Sequence, residues 1–93
     1  MTHTVTTTAK IVNRLGLHAR PAMAYVDLAQ ETGCEVRVKR LGSEEELDGT
    51  SIMQVMMLAA TCGSEREITC LGDNAEQAAQ SLRAFVESGF GES

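Results

Sequence analysis

Cys34-Glu35-Val36-Arg37-Val38-Lys39 alternates apolar and charged residues without a break. Successive side chains of an extended strand point to opposite faces, so this stretch reads as a half-buried strand. Leu41-Gly42-Ser43 then turns the chain. Residues 44–47, Glu-Glu-Glu-Leu, read as a weaker, polar edge strand, where charge helps block stray pairing. On the other side, residues 19–31 read as a helix, with Ala22, Val26 and Ala29 on one face and Thr32-Gly33 as its stop.

Further out, residues 4–12 are rich in β-branched types and predict a strand, followed by a loop over 13–17. Ser51 is a preferred N-cap, and the run from Ile52 to Ala60 suits a short helix. That run is apolar almost all the way round, so more than one face needs a partner. Val55 and Leu58 are expected in the core. After a turn at Cys62-Gly63-Ser64, residues 66–71 read as a fourth strand with Ile68 and Cys70 on one side, and Gly72 ends it. Asp73-Asn74-Ala75-Glu76 resembles a capping box with Asp73 as the cap. Ala78, Leu82, Phe85 and Val86 then keep helical spacing to about Ser88, and Gly89-Phe90-Gly91 closes the chain. The order strand, helix, strand, strand, helix, strand, helix suits an α+β, two-layer sandwich with helices on one face of an antiparallel sheet. The expectation is a single domain over residues 1–93.

Composition narrows the function. The net charge of −5 argues against a general nucleic-acid binder, and one Tyr, two Phe and no Trp leave few rings for base stacking. No apolar run approaches membrane-spanning length, and residues 1–10 lack a signal-peptide core, so a cytoplasmic protein without membrane insertion is expected. Cys34, Cys62 and Cys70 form no C-x-x-C pair, so neither a disulfide framework nor a metal site is expected, nor any cofactor. They read as small apolar residues in a reducing compartment.

Gly16-Leu17-His18-Ala19-Arg20-Pro21-Ala22-Met23-Ala24 carries the chemistry. The first turn of a helix leaves backbone N–H groups without intrahelical partners, and its dipole is positive there, so phosphate is favoured. Proline fits the first turn because it has no N–H to leave unpaired. Arg20 adds a planar donor fork for phosphate oxygens. The same positive end disfavours an imidazolium, so His18 is expected neutral and nucleophilic near pH 7. The plainer reading of His18 is a satisfied surface residue or cap, and that of Ser51 an ordinary N-cap. His3, at a terminus, is given no role.

Two segments, Gly16-Leu17-His18-Ala19-Arg20-Pro21-Ala22 and Thr50-Ser51-Ile52-Met53-Gln54-Val55-Met56-Met57-Leu58, resemble the HPr family, the histidine-containing phosphocarriers of the bacterial phosphotransferase system. The resemblance runs over roughly residues 4–88. It implies an open-faced sandwich, βαββαβα, with sheet order 1-4-2-3 and three helices. It implies that His18 is phosphorylated at ring Nδ1 by enzyme I, ultimately from phosphoenolpyruvate, and passes the group to an enzyme IIA domain. Arg20 then assists transfer and neutralises charge, with the phosphate held at Ala19 and Arg20. Ser51 matches a serine modified in many bacteria by an HPr kinase/phosphorylase. Such a chain is a carrier acting with partner enzymes rather than an enzyme alone. Methionine is over-used where one surface must accept several partners, so Met23, Ile52, Met53 and Met56 are expected to form an exposed docking patch.

The chain departs from the family at Thr50, where a basic residue is common, and at Ala59-Ala60, where a glycine is common. Glu44-Glu45-Glu46 makes the second hairpin unusually acidic, and Glu87-Ser88-Gly89-Phe90 looks like the tail of nitrogen-branch relatives. Sugar uptake or its regulation, a nitrogen-branch regulatory chain, and a binding module switched only at Ser51 are therefore the alternatives. From the family strand order, Cys34 and Cys70 are also expected to lie close together, facing the helices.

Overall fold

A computed structural model describes residues 3–12, 19–56 and 64–90. The loop expected over 13–17, His18, the helical positions 57–60 with Leu58, and Cys62 lie outside the described residues. Seven elements run in the order β1 (His3–Lys10), α1 (Ala19–Glu31), β2 (Glu35–Arg40), β3 (Leu47–Asp48), α2 (Ile52–Met56), β4 (Glu65–Gly72) and α3 (Ala75–Glu87). The strands form one antiparallel sheet ordered β1-β4-β2-β3. The architecture is the open-faced sandwich expected.

The alternation in β2 does what its pattern demands. Val36 and Val38 are buried, while Glu35 and Arg37 are exposed. In register they face Cys70 and Ile68 of β4, both buried on the same side. The helices cover this side with Ala22, Val26 and Ala29 from α1, and Ala75, Ala78, Ala79, Leu82 and Val86 from α3. The other side faces water and carries polar pairs. Thr6 and Thr69 share a hydroxyl hydrogen bond of 3.0 Å, and Arg37 reaches Glu35 at 3.2 Å and Glu46 at 3.4 Å. Because one face is buried, a one-residue slip would turn every apolar side chain outward, and this fixes the register.

Three expectations need correction. Only Leu47 and Asp48 pair with β2; Glu44, Glu45 and Glu46 stay outside the ladder. The cap of α3 is Asn74, not Asp73, and it makes no side-chain cap bond. Its amide is used elsewhere: Nδ2 donates to the Thr32 carbonyl at 3.1 Å, and Oδ1 accepts from Cys34 Sγ at 3.0 Å. A tie between the end of α1 and the start of α3 outcompetes the local cap. The first strand ends at Lys10 rather than residue 12, although Ile11 is still buried and its N–H donates to Ser64 O at 2.8 Å.

Cys34 and Cys70 are both buried free thiols on the helix side. Val36 faces Cys70, so continuing the register puts Cys34 opposite Gly72, diagonal to Cys70. Diagonal neighbours in an antiparallel ladder lie about 7–8 Å apart, against the roughly 4 Å between Cβ atoms that a disulfide needs. Burial, and secondarily Cys34, pushes the Cys70 thiol up to about 11. It stays protonated and unreactive at neutral pH.

The C-terminal end of α3 is closed by a Schellman arrangement. Phe90 N–H donates to Phe85 O at 2.9 Å and Gly89 N–H to Val86 O at 3.1 Å, with Gly89 at φ 85°. Phe90 also takes a positive φ of 58°, which a non-glycine residue rarely adopts. Its ring packs edge-on against Tyr25 and Phe85, and that contact holds the conformation.

Gly49 is where the chain leaves β3 for α2. Its N–H donates to Val36 O at 2.7 Å, and a Cβ there would lie 2.6 Å from Val36 Cγ1 and 3.1 Å from Val38 Cγ2. Gly49→Ala is expected to destabilise the fold by about 1–3 kcal/mol through overpacking. Urea unfolding checks this; an unchanged midpoint would show that the two valines can yield.

Candidate functional site

The site is assembled at α1, α2 and the turn that leads into α2. Helix α1 begins at Ala19, immediately after His18, and its first turn contains Arg20 and Pro21. Arg20 is exposed and Pro21 buried, so the proline anchors the turn on the core while the guanidinium stands in water. No acidic side chain occupies this first turn, so nothing local cancels its positive end. His18 and the Ala19 side chain lie outside the described residues.

Helix α2 begins after Ser51. The Ser51 carbonyl accepts from Val55 N–H at 2.9 Å, and its Oγ accepts from Gln54 N–H at 3.5 Å. Ser51 thus stands as the N-cap, with a long, weak side-chain bond. Val55 is buried, as expected. Met53 is 77% exposed, Met23 54% and Met56 44%. Ile52 differs from expectation: it is half-buried against the core, because the first residue of α2 is carried inward by the turn before it.

That turn was the part the sequence reading missed. Asp48 Oδ1 accepts from Thr50 N–H at 2.8 Å and from Thr50 Oγ1 at 2.6 Å. Asp48 N–H in turn donates to Gln54 Oε1 at 2.9 Å, and Gln30 Nε2 donates to Thr50 O at 3.1 Å. The signal was present, since an aspartate two residues before a polar residue is the pattern of an Asx turn. The two Thr50 hydrogen bonds hold the Asp48 carboxyl below its ordinary value. A depressed carboxyl stabilises the fold at neutral pH, and that contribution is lost as acid titrates the carboxylate.

The Gln30–Thr50 bond ties the turn before α2 to the C-terminal end of α1, ten residues on from Arg20. The exposed methionines sit on α1 and α2, which pack against each other.

The phosphotransferase-system HPr component phosphorylation-site family matches residues 5–88. The chain belongs to the HPr family of phosphocarriers.

Phosphocarrier protein HPr of Pseudomonas aeruginosa is 42% identical over 82 residues, covering 88% of this chain and 90% of that protein. Phosphocarrier protein NPr of Escherichia coli K12 is 35% identical over 89 residues, covering 96% and 98%. The crystal structure of a Bacillus anthracis HPr superposes with a TM-score of 0.81 at 32% identity, covering 89% of this chain and 96% of that one. This HPr-family sandwich therefore carries a phosphotransferase-system phosphocarrier activity, and the sheet order matches the one the family implied. Among the described residues no helix is long and apolar enough to cross a membrane, and no cluster of His, Cys, Asp and Glu is suited to a metal ion.

Proposed function

We propose that residues 1–93 act as one cytoplasmic HPr-like domain in which His18 takes a phosphoryl group from enzyme I and gives it to an enzyme IIA domain. In the first step the bond from phosphorus to the donor atom of enzyme I breaks as a bond forms to His18 Nδ1, with the donor atom recovering its electron pair. In the second step the His18 P–N bond breaks in the same way toward the acceptor. Phosphoryl transfer needs in-line positioning and charge neutralisation more than covalent chemistry. Arg20 and the backbone N–H groups at Ala19 and Arg20 supply the neutralisation, and the partners supply the rest. Met23, Met53 and Met56, with Ile52 at the inner margin, form the docking patch. What carries the reading is His18-x-Arg20-Pro21 at a helix start that holds no acidic side chain, within a chain of this family. The test is incubation with enzyme I and phosphoenolpyruvate followed by acid. An acid-labile phosphoryl group on the chain is expected; no incorporation, or an acid-stable product, would overturn the proposal.

Ser51 is the regulatory site in this reading, the residue an HPr kinase/phosphorylase would modify. A phosphate adds about −1.5 to −2 charge and, at a helix start, leaves the fold intact. Its charge is read by the partner that meets this surface. Ser51→Asp is therefore expected to slow charging by enzyme I about tenfold through like-charge repulsion at the interface. Charging at the unmodified rate would remove Ser51 from the regulation.

A second reading, a regulatory chain of the nitrogen branch in place of sugar uptake, is favoured by one observation. Gly89 and Phe90 of the Ser88-Gly89-Phe90 ending are buried, with the Phe90 ring against Tyr25, and the NPr relative aligns over 96% of the chain. Transfer from phosphorylated chain onto a sugar-branch or a nitrogen-branch IIA domain separates the two.

A further inference from the structure

The turn from β3 into α2 uses every backbone N–H it has. Asp48 N–H donates to Gln54 Oε1 at 2.9 Å, Gly49 N–H to Val36 O at 2.7 Å, Thr50 N–H to Asp48 Oδ1 at 2.8 Å and Ser51 N–H to Asp48 O at 3.2 Å. Asp48 is exposed, and Thr50 and Ser51 are half-buried, so water can reach this turn. Satisfying its donors does not require internal partners. What the bonds add is a single path for the backbone.

Asp48 is the centre of the arrangement. Its N–H donates once, its carbonyl accepts once, and Oδ1 accepts twice, the second time from Thr50 Oγ1 at 2.6 Å. Bonds to an ionised carboxylate are shorter and stronger than neutral ones. Asp48 is also the last residue of β3, in register with Arg37 of β2. Gln30 of α1 reaches the same turn through the Thr50 carbonyl at 3.1 Å. The sheet edge, α1 and α2 are thus joined at one point. In Ser-x-x-Gln at a helix start, the glutamine ordinarily reaches back to the N–H of its own N-cap. Here the Ser51 N–H is already taken, and Gln54 closes on Asp48 instead. The helix is tied to the strand rather than to its own cap.

Helix α2 needs such a tie. In its described part Val55 is fully buried and Ile52 packs partly against the core, while Met53 and Met56 are 77% and 44% exposed. At about 100° per residue, Gln54 and Met53 fall on opposite flanks of the line through Ile52 and Val55. Core contacts along one line leave a helix free to roll about it. A bond from the Gln54 flank stops the roll, and with it any displacement of Met53 on the other side.

We propose that Asp48 is a positioning residue for docking: by latching the turn to Gln54 it fixes the roll of α2, and so the place of Met53 and Met56 on the surface that enzyme I meets. The inference rests on the carrier reading above. Asp48 acts through α2 and takes no part in the transfer itself.

The experiment is steady-state charging of the full chain by enzyme I and phosphoenolpyruvate, well below the Tm of every variant, for the unaltered chain, Asp48→Ala and Asp48→Asn. Without the latch a fraction of the molecules holds α2 in the docking orientation, and apparent affinity falls by that fraction. With the fraction at roughly one-third to one-tenth, Asp48→Ala is expected to raise KM about 3–10-fold. Its kcat stays unchanged, because the approach of the partner is affected and the transfer is not. Asp48→Asn keeps an Oδ1 that accepts both Thr50 bonds, so its KM returns to within about twofold of the unaltered chain. A merely structural role would lower the Tm of Asp48→Ala and move neither constant. That result, a fall in kcat without a rise in KM, or an Asp48→Asn chain as impaired as Asp48→Ala would each overturn the inference and leave the carrier reading standing. An unaltered chain that enzyme I does not charge would overturn the carrier reading, and this inference with it.

Discussion

His18→Ala is expected to take up no acid-labile phosphoryl group from enzyme I and phosphoenolpyruvate, a complete loss of the carrier activity. The rivals to weigh first are the other histidine, the thiols and Ser51. The chain has two histidines, and the other, His3, begins β1 and pairs with Gly72. Two residues after Gly72, Asn74 is bonded to the Thr32 carbonyl just past the C-terminal end of α1, and α1 runs about 18 Å from there back to its start. His3 therefore lies by the C-terminal end of α1, away from the first turn and its phosphate-holding groups. The thiols of Cys34 and Cys70 are buried, and burial keeps Cys70 protonated at neutral pH. A serine ester at Ser51 would survive acid and so cannot imitate the signal. Mass spectrometry before and after acid, with circular dichroism to show an intact fold, decides the matter. Acid-labile label remaining on His18→Ala would sink the relay reading.

This result depends on a local motif, and local motifs were what the sequence displayed best. Helix α1 was read at its observed bounds because an apolar face, a first-turn proline and a Thr-Gly stop all agree. Strand β2 was legible because strict alternation admits one reading. Failures came where distant residues decide. Asn74 looked like a neighbour of the cap, yet Thr32 and Cys34 claim its amide from across the fold. Alternation in β4 points Arg66 inward beside Ile68, while its charge argues for water; only packing shows that the period won. The acidic run Glu44-Glu45-Glu46 carried too little apolar pattern to set a register, and pairing begins only at Leu47. Strand order is likewise non-local and came from the family resemblance, not from periodicity. At the site, His18, Arg20 and Pro21 are adjacent in sequence and were seen together. The Asp48–Thr50 turn that leads into α2 is harder to see, because an Asx pattern is short and common in loops and only the fold shows that its bonds form.

The largest stability effect is expected at Leu82. Helix α3 meets the sheet through Ala75, Ala78, Ala79, Leu82 and Val86, and Leu82 is fully buried. Three alanines in that contact face already bring the helix backbone close to β1 and β4, against which it packs. Leu82→Ala leaves a hole that the helix cannot close by moving inward, because its alanine contacts have no slack. A buried Leu→Ala change costs about 2–5 kcal/mol depending on how far the site collapses, and the argument places this one in the upper half. Domains of this size have only about 5–14 kcal/mol of stability in all. The Tm of Leu82→Ala should therefore fall by roughly 15–25 °C. A second measurement separates packing from function: Leu82 is buried in α3 while Arg20 is exposed at the start of α1, so phosphoryl uptake well below the new Tm should be unchanged. A fall of only a few degrees would mean that α3 can settle onto the sheet after all, and the close approach attributed to its alanines would be wrong.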